Sequence, residues 1–287
     1  DNGSSDRTSE TVLRYTARQT HWRLVREEKP GAGAARNRGV RESCGEIILF
    51  VDDDVIPDAQ LIEEHRKSHR QHRAVAVLGH VRFPWRGNES AYHWLLTHRP
   101  ELLQSFRFRD PLDVPFLHFY TCNASVPRSL LLRGDLFDET FSGAAFEDTD
   151  LGYRLTRSGC RIIFNPRASA LHDFQLSPPL FAEKRRRAGH GLHRLLKKHP
   201  ELRPTLEETR HPVRRRVRSV MGALLAPAAD CLDRCGRLAP AFLLPLLGRL
   251  LWYVFEYQFW SGFREGDRSH LPLGNPGVAK PPCEEGN

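Results

Sequence analysis

Three adjacent aspartates, Asp52-Asp53-Asp54, follow the segment Glu46-Ile47-Ile48-Leu49-Phe50-Val51. Carboxylates packed this closely repel one another unless a cation or hydrogen bonds compensate. Oxygen ligands with no Cys or His beside them select Mg2+ or Mn2+, either of which can bridge to a pyrophosphate. An acidic turn capping the helix that begins near Asp58 would explain one aspartate better than it explains three. A second cluster, Glu147, Asp148 and Asp150, crowds one helical turn behind Ser142-Gly143-Ala144-Ala145. One carboxylate suffices to cap a helix N-terminus, so another is available as a general base. His172 closes the short run Ala170-Leu171-His172. Taken alone, such a histidine is more often structural than a ligand.

These residues need a frame. The Glu46 to Val51 run is apolar without alternation, which predicts a strand buried on both faces, as in a parallel sheet. A small-residue helix from Gly33 to Ser43, closed by Gly45, should precede it. An amphipathic helix should follow over Ala59 to His72, with Leu61, Ile62 and His65 on one side, and then a strand over Ala74 to Val81. Further strands are expected over Tyr120 to Val126, Arg161 to Phe164 and Ala168 to His172, and a helix from Glu147 to Ser158, ending at Gly159. Alternation of this kind implies an α/β sandwich, whose ligands bind outside the strands' carboxyl ends. Pro84 to Pro115 lacks clear periodicity and reads as an irregular excursion over the sheet edge.

Beyond this the character changes. Phe181 to His199 reads as a basic helix carrying Lys184-Arg185-Arg186-Arg187, and Arg214-Arg215-Arg216 with Arg218 forms a second cluster. Ala241 to Phe255 is almost wholly apolar yet shorter than the roughly 20 residues that span a bilayer. Apolar surface beside basic clusters suits a helix lying in the interface of an anionic membrane. The alternative is a helical hairpin packed on the catalytic domain. The expected organisation is therefore a domain over residues 1–199, a helical, membrane-surface region over 200–265, and a disordered tail over 266–287.

The chain has 287 residues, 40% hydrophobic and 27% charged, with a net charge of +8. That composition excludes wholesale disorder and favours acidic partners. No recognition motif supports nucleic-acid binding. The six cysteines show no zinc-like pairing, so a reducing, cytoplasmic setting is expected, peripheral on the cytoplasmic face of the membrane.

Together the motifs resemble glycosyltransferase family 2, over roughly Asp1 to His199. Asp1-Asn2-Gly3-Ser4-Ser5-Asp6-Arg7-Thr8 is similar to the segment that follows the family's second strand. Gly33-Ala34-Ala35-Arg36-Asn37-Arg38-Gly39 is similar to its "ARN" helix. Phe50 to Pro57 resembles its metal motif. Cys122-Asn123-Ala124-Ser125-Val126 resembles the acceptor-side strand, with Cys in the usual Gly place and Pro127 for a basic residue. Phe137-Asp138-Glu139 and Phe146 to Leu155 resemble its "FDE" and "WED" block, with Phe146 for Trp.

The resemblance implies a GT-A fold, Rossmann-like with a mixed sheet lacking its first strands, and inverting transfer of a sugar from a nucleoside-diphosphate donor to a hydroxyl acceptor, in cell-envelope, polysaccharide or glycolipid synthesis. It implies that Asp1 contacts the nucleobase, Arg36 the base or diphosphate, and Asp52 the ribose. Asp53 and Glu147 would join the substrate-binding set, and Asp54 would bind Mn2+ or Mg2+. Asp148 would be the catalytic base. His172, 24 positions further on, would be a metal ligand. The family's opening strand, helix and second strand have no counterpart ahead of Asp1. An N-terminally truncated domain that binds donor weakly is therefore expected, with binding rescued by restoring the upstream segment. A non-catalytic membrane-surface scaffold and a metal-dependent nucleotidyltransferase or phosphohydrolase are the competing readings.

Overall fold

The computed structural model describes residues 1–19, 21–84, 89–103, 108, 110–141, 145–173, 177–207 and 220–266. Residues 267–287 of the expected tail over 266–287, the Arg214–Arg218 cluster and the 142–144 loop lie outside the described residues.

Among the described residues five strands form one mixed sheet: β1 (Ile47–Val51), β2 (Val55–Pro57), β3 (Val75–Arg82), β4 (Asn123–Pro127) and β5 (Arg161–His172), in spatial order β1-β4-β3-β5-β2. Only β3 and β5 run parallel; the β1–β4, β3–β4 and β2–β5 pairs are antiparallel. β1 is thus an edge strand. Its Ile48 and Phe50 are buried, its Leu49 half-buried and its Val51 exposed, so the expectation of burial on both faces is corrected. The two strands expected between Arg161 and His172 are one strand. It follows β3 throughout, with a register shift beside Gly79 and His80 that absorbs Pro166.

Helices cover both faces. On one side α2 (Ala32–Glu42) and α6 (Glu147–Arg157) enclose a core that includes Val40, Phe50, Leu78, Val126, Phe137 and Leu151. On the other lies α3 (Leu61–Gln71), whose buried His65 reaches Ser125 (2.7 Å) and Asn123 (2.9 Å) on β4. Ala124 and Val126 meanwhile face the apolar core, as strand alternation requires. The other described α-helices as far as residue 199 are α1 (Thr8–Thr16), α4 (Ala91–His98), α5 (Arg128–Arg133) and α7 (Pro178–Lys198).

The region read as an irregular excursion contains α4, capped by the Ser90 hydroxyl, which accepts from the His93 N–H at 3.2 Å. Periodicity failed there because α4 is only eight residues long, with Ala91, Tyr92, Leu95 and Leu96 buried on one face. A short α8 (Arg203–Glu207) follows α7, and what buries α4 is the region beyond it, α9 (Ala229–Leu238) and α10 (Leu244–Glu265). Leu251, Val254 and Phe255 of α10 join Tyr92, Leu95 and Phe181 in a second core. Phe259 and Trp260 join Leu192 and Leu195 in a third. Burying each such side chain is worth about 1.5–3 kcal/mol. The inner face of the apolar segment is therefore spent on protein. Close approach of α7 and α10 rests on small residues on both sides. A Cβ on Gly189 would lie 1.9 Å from the Phe259 carbonyl oxygen, and one on Gly262 would lie 1.9 Å from that of Arg186. No described helix is long and apolar enough to cross a membrane.

Candidate active site

Strand register places the acidic cluster. Val51 pairs with Asn123, so Asp52 emerges from β1 beside Cys122, the residue ahead of β4. Val55 pairs with His172, so Asp54 emerges beside the end of β5; there the Asp173 N–H donates to the Asp54 carbonyl at 2.8 Å. His172 Nε2 lies 3.0 Å from Asp54 Oδ1. This hydrogen bond is the main cause that holds the Asp54 carboxyl below its ordinary range, and Lys184 of α7 adds to it. Asp53, between them at the turn, is exposed.

Arg36 ties the two acidic clusters together. From α2 its Nη1 donates to Glu147 Oε1 at 2.7 Å and its Nη2 to Asp52 Oδ1 at 3.3 Å, while its guanidinium lies over the Phe137 ring at 5.7 Å. Burial opposes its charge, but Glu147, Asp52 and Asp148 outweigh burial and hold its pKa above the usual value. The second Glu147 oxygen, Oε2, is buried with no hydrogen-bond partner. Asp148, next along α6, is pushed up to about 7, first by burial and then by Glu147, with Arg36 opposing. A carboxyl group in that range is suited to proton transfer near neutral pH. Phe146, directly before the helix, holds φ at 81°, a left-handed conformation uncommon for a non-glycine residue. A Cβ on Gly191 of α7 would lie 2.0 Å from the Ala145 carbonyl oxygen, so α7 braces this turn.

The third acid of the turn, Asp150, is committed elsewhere. It is buried and receives Arg154 (2.8 Å), Lys198 (2.9 Å) and His199 (2.7 Å), which locks the end of α7 onto α6. Asp1 belongs to a different neighbourhood. Its carboxylate accepts from the Ser4 N–H at 2.9 Å and from the Ser9 hydroxyl. It also lines a cavity of about 370 Å3 with His21, Arg23, Arg38 and Glu42. The structure thus brings Arg36, Asp52, Glu147 and Asp148 into one charge network, sets Asp54 against His172, and leaves Asp1 beside a separate hollow on α2.

Sequence reasoning missed several contributors. Cys122 is in the cleft: burial first, then Asp52 and Asp148, push its thiol up to about 12. Lys184 acts on both Asp54 and Cys122 from α7. Three motif asparagines proved to be staples. Asn2 donates to the Glu27 and Lys29 carbonyls, both at 2.8 Å, and accepts from the Gly31 N–H at 2.7 Å. Gly31, at φ 130°, then opens α2. Asn37 grips the Phe137 backbone in both directions, at 2.9 and 2.8 Å. Asn123 donates to the Ala168 carbonyl at 2.9 Å. A buried amide bonding both an N–H and a C=O fixes a chain segment's position and angle. Their place in the motifs was the only available signal.

The donor set suits a hard divalent cation. Asp54 and His172 are adjacent and nearby Asp52 is half-exposed, yet among the described residues no three Asp, Glu, His or Cys side chains converge on one point. A cation held by few protein ligands keeps positions for phosphate and water, as Mg2+ does with nucleotides.

Comparisons with known proteins agree with this architecture. Residues 1–133 match the model of the family described as glycosyl transferase family 2. Validoxylamine A glucosyltransferase of Streptomyces hygroscopicus is 28% identical over 183 residues, covering 55% of this chain and 43% of that protein. Glycosyltransferase AglE of Haloferax volcanii is 41% identical over 64 residues, covering 22% of this chain and 21% of that protein. The chain spans about half the length of the curated relatives it matches, or less. Among solved structures, the mannosyltransferase PcManGT from Pyrobaculum calidifontis, in complex with GDP-Man and Mn2+, covers 92% of this chain and 74% of its own at 19% identity and a TM-score of 0.53. The fold is GT-A, and the likeness to glycosyl transferase family 2 runs over residues 1–133, a little under half of the chain.

Proposed function

We propose that this protein transfers a sugar from a nucleoside-diphosphate donor to a hydroxyl acceptor with inversion at the anomeric carbon. The observation that carries the reading is Arg36 donating to both Asp52 and Glu147 beside Asp148, whose carboxyl is raised to about 7. Arg36 supplies fixed positive charge at the carboxyl end of β1, where a diphosphate would sit. Asp148 takes the proton from the acceptor hydroxyl as its oxygen attacks the anomeric carbon. The bond to the diphosphate oxygen breaks on the opposite face of the sugar, which inverts the configuration. The unpartnered Glu147 oxygen is an acceptor for a sugar hydroxyl.

Asp54 and His172 would hold Mn2+ or Mg2+. When bound, the ion supplies charge that favours departure of the diphosphate. Asp52, half-exposed beside Arg36, would accept from a ribose hydroxyl. Asp1, set apart beside the α2 hollow, would meet the nucleobase end of an extended donor. PcManGT binds GDP-Man and Mn2+, which supports this donor class here. The acceptor is a glycan or lipid-linked hydroxyl of cell-envelope, polysaccharide or glycolipid synthesis.

Incubating the chain with a panel of UDP- and GDP-sugars, Mn2+ and hydroxyl acceptors tests this. Released nucleoside diphosphate with an inverted glycoside is expected. Release of nucleoside monophosphate or orthophosphate would assign the site to nucleotidyl transfer or phosphohydrolysis instead.

A further inference from the structure

Helix α9 turns Ala229, Asp233 and Gly236 to the protein. Asp233 accepts from the Tyr92 N–H at 3.0 Å, and a Cβ on Gly236 would lie 2.5 Å from Ala91 Cβ, so this face is clamped onto α4. Cys231 and Cys235 occupy the opposite face, both exposed and both free thiols. Residues four apart are neighbours on a helix surface. The two thiols meet there: hydrogen bonding with Cys231 is the first cause that holds the Cys235 thiol above its ordinary range. The acids of the helix are engaged elsewhere, Asp230 with Arg234 at 2.8 Å and Asp233 with Arg237 at 3.4 Å.

Two adjacent exposed thiols can close a disulfide or share a metal ion, and helix geometry separates the two. A disulfide needs Cβ atoms ~3.5–4.5 Å apart. Residues four apart on a helix hold theirs ~5–6 Å apart. Closing the bond would unwind a turn of α9 against the contacts of Gly236 and Asp233 with α4. An ion between the sulfurs asks for no such movement, because two metal–sulfur bonds of ~2.3 Å span up to ~4.6 Å. Thiolates are soft donors and favour Cu(I). Zn2+ takes four ligands in a structural site, and among the described residues no third Asp, Glu, His or Cys side chain joins this pair.

We propose that Cys231 and Cys235 form a two-thiolate site on the outer face of α9 for a soft monovalent cation of the Cu(I) class. Each thiol releases its proton to solvent as its sulfur bonds the ion, so two protons leave for one cation bound and no electron is transferred. Affinity therefore rises with pH. The site does not depend on the sugar-transfer reading.

Anaerobic titration of the whole chain with Cu(I) held by bicinchoninate tests it, the transferred ion being read from loss of the coloured complex. A chain carrying Cys44→Ser and Cys283→Ser, which leaves this pair in place, should withdraw one equivalent near neutral pH. Adding Cys231→Ser and Cys235→Ser should abolish that withdrawal at unchanged melting temperature, since both side chains are exposed. Cys235→Ser alone should weaken it at least about hundredfold, because the second sulfur is no longer held beside the first. Far-UV circular dichroism should show no loss of helix on loading, and an excess of Zn2+ should not displace the ion. Withdrawal indifferent to the Cys231 and Cys235 substitutions, no withdrawal, or displacement by Zn2+ overturns the proposal. So does a Cys231–Cys235 disulfide that forms in air at constant helix content, seen by peptide mapping without reductant.

Discussion

Asp54 Oδ1 and His172 Nε2 lie 3.0 Å apart although 118 residues separate them in the chain, because Val55 and His172 are register partners on β2 and β5. Two donors so close can share one divalent ion. Mn2+ should raise the melting temperature in the presence of a nucleoside diphosphate more than either ligand alone. His172→Ala should weaken that Mn2+ response at least about tenfold. A full Mn2+ response in His172→Ala would remove His172 from the metal site.

Half-buried Asp148 carries its charge at a cost, first through desolvation and then through repulsion by Glu147. Asp148→Asn should therefore lower transfer by about 10²–10⁴-fold while leaving the melting temperature unchanged or higher. In the unsubstituted protein the base form grows as pH rises through about 7. The pH profile of kcat/KM should accordingly climb below that value and flatten above it. A profile flat from pH 5 to 8 would point to another base.

Arg36 is the single positive group bonded to Glu147 among the ion pairs described for that carboxylate. Arg36→Ala leaves a buried carboxylate unpaired, and a loss of about 3–5 kcal/mol in urea unfolding is expected. Arg36→Lys should recover part of the stability, but not donor binding, because an ammonium cannot reproduce the fork that reaches Glu147 and Asp52 together.

His65 and His69 both bond the Ser125 hydroxyl, at 2.7 and 2.8 Å. Burial is the main cause that lowers both, His69 to about 4. Their folded values lie below the unfolded value of about 6.5, so the unfolded chain takes up protons first as pH falls. Stability should be unaffected above pH 7 and decline from about pH 6.5 towards 4. Substituting His69→Gln should flatten that decline in thermal melts across pH.

Alanine usually strengthens a helix relative to glycine by up to about 1 kcal/mol. Gly189→Ala should do the opposite here, because its Cβ would meet the Phe259 carbonyl oxygen at 1.9 Å and force α7 and α10 apart. A loss of about 1–3 kcal/mol is expected, with Gly262→Ala behaving alike. A stabilised Gly189→Ala protein would show that the two helices are not tightly joined.

The sequence by itself determined the chemistry-bearing types and most elements. The aspartates after an apolar run, the acidic helix start and the alternation of strands and helices are local patterns, and local patterns survive in one dimension. It overstated the burial of β1, because burial depends on what lies on the other side of a strand. It missed α4, because eight residues make little more than two turns, too few for a helical period to stand out.

Only the tertiary structure decided which polar groups meet. Asp150, indistinguishable in sequence from Asp148, goes to Lys198 and His199, while Asp148 stays in the cleft with Arg36 and Cys122. The apolar segment Ala241 to Phe255, read as a membrane-lying helix, lies in α10 and the turn before it. It turns its inner face to α4 and α7 and keeps only one corner outward. The physical reason is the same in each case. Side-chain type is a property of the residue, whereas charge state, partner and burial are properties of its neighbours, and strand register and helix packing choose those neighbours from distant parts of the chain.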